Sequence, residues 1–257
     1  MLAAQRRDAL LARLQRDRRV VAKDMAAELG VSEDSLRRDL RELAAAGLCQ
    51  RVYGGALLPS AAVVDYPARQ SVEPRSKERV AAIAAALVRP GSTVIFDGGT
   101  TTLAVVHALP PDLTATVITH SPTIAAALAS HPTVEIQLLG GRIFKHSVVA
   151  CGAAAVEAAS AVSADAFLLG VTGVHPDAGL TTGDADEAAM KRALARRAAD
   201  TYVLASADKI GVASRYRVLP LAEVAGIVTD TPDALSEIAD AGVPILSTPP
   251  PISGNSP

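Results

Sequence analysis

Residues 32–56 read SEDSLRRDLRELAAAGLCQRVYGGA, and this stretch decides how the N-terminal part of the chain folds. Ser32 is a good helix N-cap, and Glu33 and Asp34 suit a first turn, where the helix dipole is positive. Leu36, Leu40 and Leu43 recur at i, i+4 and i+7, the apolar stripe of a half-buried helix. Arg37, Arg38 and Arg41 fall away from that stripe. Just upstream, Val20-Val21 lead into a short helix ending at Leu29, and Gly30 fits a helix stop with φ > 0. Two helices joined by a tight glycine turn form a helix-turn-helix. Gly47 ends the second helix, and Leu48–Val52 and Ala56–Leu58 then read as a hairpin turning at Tyr53-Gly54-Gly55. A hairpin in that place is a wing, so the module is a winged helix. Leu2, Leu10, Leu11 and Leu14 mark a preceding helix.

Charge follows the same division. Residues 1–57 carry eleven cations and eight carboxylates, a balance of +3, and the rest of the 257 residues carry −5, for −2 in all. A basic module on an acidic body suits a chain whose N-terminal part meets nucleic acid. Cys49 and Cys151 form no disulfide framework, which fits a reducing, cytoplasmic setting. The histidines at 107, 120, 131, 146 and 175 show no metal-ligand spacing, so neither a metal nor a cofactor is expected. No leader-like apolar stretch opens the sequence, and no run has the length of a membrane span.

Four regions are expected: a DNA-binding module over 1–58, a linker over 59–75, an α/β domain over 76–246 and a disordered tail over 247–257. The linker, PSAAVVDYPARQSVEPR, has prolines and no clear period. Beyond it, helical patterns such as KERVAAIAAALV alternate with fully apolar strands such as STVIFD, TATVIT, DAFLLGV and DTYVLAS. That alternation points to a mostly parallel sheet covered on both faces.

In such sheets ligands bind beyond the carboxyl ends of the strands. Asp97-Gly98-Gly99-Thr100-Thr101-Thr102 combines glycines, hydroxyls and a helix N-terminus, which suits an anion such as phosphate; a plain Gly-rich turn is the other reading. It is neither a Walker A loop nor GxGxxG. Thr119-His120-Ser121, Gly140-Gly141-Arg142 with Lys145, Gly170-Val171-Thr172-Gly173, Asp186-Glu187 with Lys191, and Asp208-Lys209 follow other strands. Taken singly, Glu187 and Lys191 have the spacing of a surface i,i+4 pair, and Lys209 reads as a solvated lysine. Together these loops point to a site, because every loop at one sheet edge carries Gly, Thr, Ser or a charge.

VSEDSLRRDLRELAAAGLCQRVYGGA, with the later FDGGTTT, VITHSPTIAAAL, LLGGRI, GVTGV, GLTTGDADEAAMKRA and DKIG, resembles the DeoR-type bacterial transcription regulators over roughly residues 6 to 230. The resemblance implies a winged-helix DNA-binding domain and a sensor domain similar to ribose-5-phosphate isomerase, which binds a phosphorylated sugar or related metabolite. It implies a repressor of a sugar-utilisation operon, acting on double-stranded operator DNA as a homo-oligomer, dimer or tetramer. The phosphate cradle then falls on Gly98, Gly99, Thr100 and Thr101, with Lys77 and Lys209 at basic positions of effector response and Asp186, Glu187 and Lys191 on the acidic-basic helix. Asp97, His120, Ser121, Gly141, Gly170 and Thr172 complete the candidate effector site. Two positions depart from the family pattern: Ser206 replaces a usual Asp, for which Asp208 is a substitute, and His120 replaces a usual Asn.

Candidate DNA contacts are Ser32, Ser35, Arg37, Arg38 and Arg41 on the recognition helix, Arg51 on the wing, and Arg18 and Arg19 before the second helix. The helix arginines read guanine edges or grip phosphate, with Asp39 orienting one of them. An isomerase-like enzyme, with Asp97 or Glu187 as a base beside Lys209, is the alternative reading; a winged helix has no use in one.

Overall fold

The computed structural model describes residues 2–60 and 65–248. The N-terminal module runs α1 (Ala3–Asp17), β1 (Arg19–Val21), α2 (Ala22–Leu29), α3 (Glu33–Ala45), β2 (Gln50–Val52) and β3 (Gly55–Leu57). Leu10 and Leu14 of α1, Met25 of α2 and Leu36, Leu40 and Leu43 of α3 close a core of their own with Val20, Cys49 and Ala56. Ser32 caps α3 by accepting from the Ser35 N–H, and Gly30 takes φ +62 where α2 stops. The wing is a three-stranded antiparallel sheet in the order β1-β3-β2. Its first strand is not expected from the sequence, where Val20-Val21 read as the approach to a helix. They pair instead with Ala56 and Gly55. Asp39 is another departure. It is buried and takes the Arg6 guanidinium at 2.7 and 3.2 Å, so it ties α1 to α3 rather than aiming a recognition-helix arginine.

The described part of the expected linker holds one short helix and the start of another. Asp65 caps α4 (Tyr66–Gln70), and α5 (Pro74–Ala85) follows after three residues. Residues 61–64 of that linker, and the expected tail beyond residue 248, lie outside the described residues.

Seven parallel strands form the body: β4 (Thr93–Phe96), β5 (Ala115–Thr119), β6 (Val134–Leu138), β9 (Ala164–Gly170), β12 (Ala198–Leu204), β14 (Gly226–Val228) and β15 (Ile245–Leu246). Their spatial order is β15-β14-β12-β9-β4-β5-β6. Alternate residues feed opposite cores. Ile95, Phe167, Leu169, Val203 and Ile227 pack with α8 (Ala153–Ser160) and α9 (Ala185–Ala195) on one face. Phe96, Leu168, Leu204 and Val228 pack with α5, α6 (Thr100–Ala108) and α7 (Pro122–Leu128) on the other. The sheet is therefore the middle of three layers. Chain direction across it reverses between β4 and β9, the switch point at which such folds open a crevice. A hairpin, β7 (Arg142–Phe144) and β8 (Val149–Cys151), and an antiparallel trio, β10 (Gly173–His175), β11 (Gly179–Thr182) and β13 (Tyr216–Arg217), stand at that carboxyl edge. The last helix is α10 (Ser236–Asp240).

The two parts touch. Pro59, just past β3, bridges Ala213, and the Arg18 side chain lies against Gly211.

Candidate effector pocket and nucleic-acid face

A cleft opens beyond the carboxyl ends of β4 and β9, over the N-terminus of α6. Gly99 precedes that helix with φ +109, a conformation natural only to glycine, and no side chain among the described residues caps the helix. The first N–H groups of α6 therefore lack intrahelical partners and face the cleft with the positive end of the helix dipole.

Asp97, at the end of β4, lies fully buried beneath the cleft. Its Oδ1 accepts from Gly98 N–H and His120 Nε2, each at 2.8 Å, and its Oδ2 from Gly170 N–H at 2.8 Å and Lys191 Nζ at 2.5 Å. Burial opposes ionisation, but the Lys191 ammonium and the His120 hydrogen bond outweigh it and hold the carboxyl at about 2. His120 Nδ1 meets the Ala150 carbonyl at 2.9 Å. Both ring nitrogens thus sit within hydrogen-bond reach of an oxygen, which fixes the plane of the ring.

The Glu187–Lys191 pair is buried rather than on the surface. Lys191 Nζ lies 3.5 Å from Glu187 Oε1, and Thr182 donates its hydroxyl to Oε2 at 2.6 Å. Burial works against the Lys191 charge, but Asp97 and Glu187 more than offset it and raise its pKa. Lys209 is likewise buried rather than solvated; it donates to Thr101 Oγ1 at 2.9 Å. Lys77 Nζ donates to the Arg69 carbonyl, and the Arg69 Nη2 donates to the His146 carbonyl at 2.8 Å.

Lys191 therefore has its counter-charges, whereas Arg69, Lys77 and Lys209 have no salt-bridge partner among the described residues. All three are buried and line the cleft. The Arg69 Nε has no acceptor among the described residues. Burial lowers the pKa of each. It takes Lys209 to about 8, with Asp208 resisting and the Lys77, Arg69 and Lys191 charges adding to the fall. A site holding three such cations and an uncapped helix start is short of negative charge.

Of the sequence candidates, Lys77, Gly98, Gly99, Thr100, Thr101, Gly170, Thr172, Glu187, Lys191 and Lys209 line this cleft. Asp97, His120 and Ser121 are fully buried just behind its wall. Gly141 does not reach it; it packs toward Ala155. Arg142 pairs with Asp186 at 2.6 Å on the exposed surface, and Lys145 is exposed. Ser206, the departure from the family Asp, donates to Asp208 Oδ1 at 2.6 Å, and Asp208 lines the cleft. Arg69 and Ser147 are absent from the sequence reading. For Arg69 a signal was present, since Asp65 with Pro67 two positions on is a helix-start pattern.

On the N-terminal module, Arg37 is held by Glu33 at 3.0 Å and Arg41 donates to the Arg37 carbonyl at 3.3 Å. Arg38 is exposed and has no side-chain partner among the described residues. Ser32 and Ser35 share a hydroxyl contact of 2.9 Å at the head of α3. Tyr53 stands fully exposed at the wing tip beside Arg51, while Arg18 and Arg19 lie on the side facing the α/β body.

Residues 6–62 match the DeoR-like helix-turn-helix domain, and residues 72–231 match the DeoR C terminal sensor domain. The chain is 32% identical to the HTH-type transcriptional regulator GlpR of Haloferax volcanii, covering 86% of this chain and 89% of that protein. It is 31% identical to the HTH-type transcriptional repressor GlcR of Bacillus subtilis, over 90% and 89% of the two chains. The glycerol-3-phosphate regulon repressor of Escherichia coli is 29% identical over 92% and 94%. Among solved structures, ribose 5-phosphate isomerase A of Methanocaldococcus jannaschii aligns at TM-score 0.37 and 16% identity, over 49% of this chain and 50% of that one.

Proposed function

Because this chain belongs to the DeoR family of transcriptional regulators, we propose that it represses an operon for sugar or polyol-phosphate use and answers to a phosphorylated sugar. Double-stranded operator DNA is the target of the winged helix. The observation that carries the ligand half is the trio Arg69, Lys77 and Lys209 around the open N-terminus of α6. A phosphate monoester carries about two negative charges at neutral pH and three acceptor oxygens, which suits that deficit. One relative is named for glycerol-3-phosphate, itself such an ester.

DNA recognition is assigned to α3 and the wing. Arg38 is free to meet a base edge or phosphate, and Arg37 can do so on leaving Glu33. Arg51 and Tyr53 project from the wing. One winged helix neutralises few phosphates, so two or more protomers on adjacent half-sites are needed at physiological salt.

Residues 206–213 are the proposed coupling segment. Asp208 and Lys209 line the cleft; two residues on, Gly211 abuts Arg18, and Ala213 bridges Pro59. A ligand that draws Lys209 toward itself shifts the base of the DNA-binding module. Only a difference in affinity for the two arrangements can move their balance.

Proton-transfer catalysis has less support. Asp97 is saturated by four donors and Glu187 is engaged by Thr182 and Lys191, which leaves neither as a free base. The deciding experiment is a gel shift on the upstream region of the chain's own gene with phosphorylated and unphosphorylated sugars. Release by a phosphorylated member alone is expected; indifference to all of them counts against the sensor role.

A further inference from the structure

Ser147 sits between β7 and β8, on the hairpin that borders the effector cleft. It is only 3% exposed, and its hydroxyl has no hydrogen-bond partner among the described residues. Native chains seldom bury a hydroxyl unpaired, and each such group calls for a reason. Its neighbours need none. The His146 carbonyl accepts from Arg69 at 2.8 Å, and the Val148 carbonyl from Ser121 Oγ at 3.3 Å. Ala150 is tied to His120 twice, through its N–H to the His120 carbonyl at 2.8 Å and through its own carbonyl to Nδ1 at 2.9 Å. The hairpin is thus pinned on both sides of one unsatisfied side chain. Val148, the next residue, is held at φ +53, where a β-branched residue is an outlier. The pins that impose this conformation also keep Ser147 against the cleft.

We propose that Ser147 is a specificity contact for the carbon skeleton of the ligand, and that its hydroxyl exchanges hydrogen bonds with a ligand hydroxyl. This rests on the phosphorylated-sugar reading of the cleft. A phosphate group only accepts, and Arg69, Lys77, Lys209 and the start of α6 already offer it donors. A serine hydroxyl both donates and accepts, which matches a sugar or polyol hydroxyl. A site built to bond a hydroxyl rejects the analogue that lacks it, because its own group is then left buried and unpaired.

The test is calorimetric titration of the full chain and of its Ser147→Ala variant. The probes are inorganic phosphate and a panel of phosphorylated sugars and polyols, including glycerol 3-phosphate and glucose 6-phosphate with their deoxy counterparts. Thermal unfolding without ligand runs alongside. The tightest polyol or sugar phosphate should lose fivefold or more in affinity on S147A, and inorganic phosphate less than twofold. The ligand-free midpoint should stay level or rise, because an unpaired buried hydroxyl is removed. The deoxy analogue that binds the wild type poorly should bind S147A no worse. Equal binding of every probe to both proteins overturns the assignment, as does a lowered ligand-free midpoint with phosphate and sugar phosphate affected alike. If phosphate binds the wild type but no phosphorylated sugar binds more tightly, this inference fails and the anion site stands. If nothing on the panel binds the wild type, phosphate included, the reading of the cleft fails with it.

Discussion

Lys209 donates to the Thr101 hydroxyl across 2.9 Å, which joins the segment leading to the DNA-binding module to the first turn of α6. One hydrogen bond therefore spans the two structures that a bound anion would engage together. On the proposed function, a ligand phosphate at the helix start would compete with Thr101 for that ammonium, and the exchange would move residues 206–213.

Ligand affinity should depend on pH through Lys209, whose pKa burial and neighbouring cations lower to about 8. Binding an anion favours the charged ammonium, so the bound form holds the proton more tightly than the free form. Affinity for a phosphate monoester should be nearly flat from about pH 7 to pH 8. Above about pH 8 it should fall, approaching tenfold per pH unit, until the pKa of the bound form is reached. Titrations at several pH values read this directly. Lys209→Arg, which keeps its charge throughout, should flatten the profile.

Asp97→Asn should destabilise the protein by about 3–5 kcal/mol, because it leaves the buried Lys191 ammonium without its closest counter-charge. Urea unfolding measures the loss. In the wild type, Asp97 is held at about 2, below its unfolded value. Its stabilising contribution is therefore complete above about pH 4 and is lost as pH falls toward about 2.

Arg38→Ala should weaken operator binding by about 10- to 100-fold if the side chain makes a bidentate base contact. Exposed and unpartnered within the described chain, it should leave the melting temperature unchanged. Leu40→Ala should behave oppositely, costing about 2–5 kcal/mol of stability through the α1–α3 core. Fluorescence anisotropy on operator and random duplexes, with parallel melting curves, separates the two.

Gly211→Val should uncouple the sensor. Gly211 has φ +73, and an added Cβ would meet the Arg18 side chain at 3.3 Å. The variant should keep ligand affinity within about threefold, since Gly211 does not line the cleft, yet lose most of the ligand's effect on DNA binding.

Features written in neighbouring residues were legible in the sequence. The stripe Leu36, Leu40 and Leu43, with Ser32 and Gly30 as punctuation, yields α2 and α3. Fully apolar runs yield β4, β5, β9 and β12, and the loop 97–102 announces the cleft. What escaped depends on partners far along the chain. β1 exists because β3 pairs with it 36 residues later, as Val20 does with Ala56. The spacing of Glu187 and Lys191 is the same on a surface as in a core, and only Asp97, at the end of another strand, decides between them. Only the helix start at Asp65 and Pro67 pointed toward Arg69, because α4 is five residues long, too short to show a period. Ser147 gave no signal, since an unpaired hydroxyl is a property of its surroundings.

On the proposed function, filling the cleft changes the grip on DNA. Anisotropy with a labelled fragment of the upstream region, at fixed salt and with and without the phosphorylated sugar that calorimetry finds tightest, tests it most directly. Operator Kd should change at least tenfold for the wild type and less than twofold for Lys77→Met and Lys209→Met. A wild-type protein that binds the ligand yet holds the operator with the same Kd would contradict it.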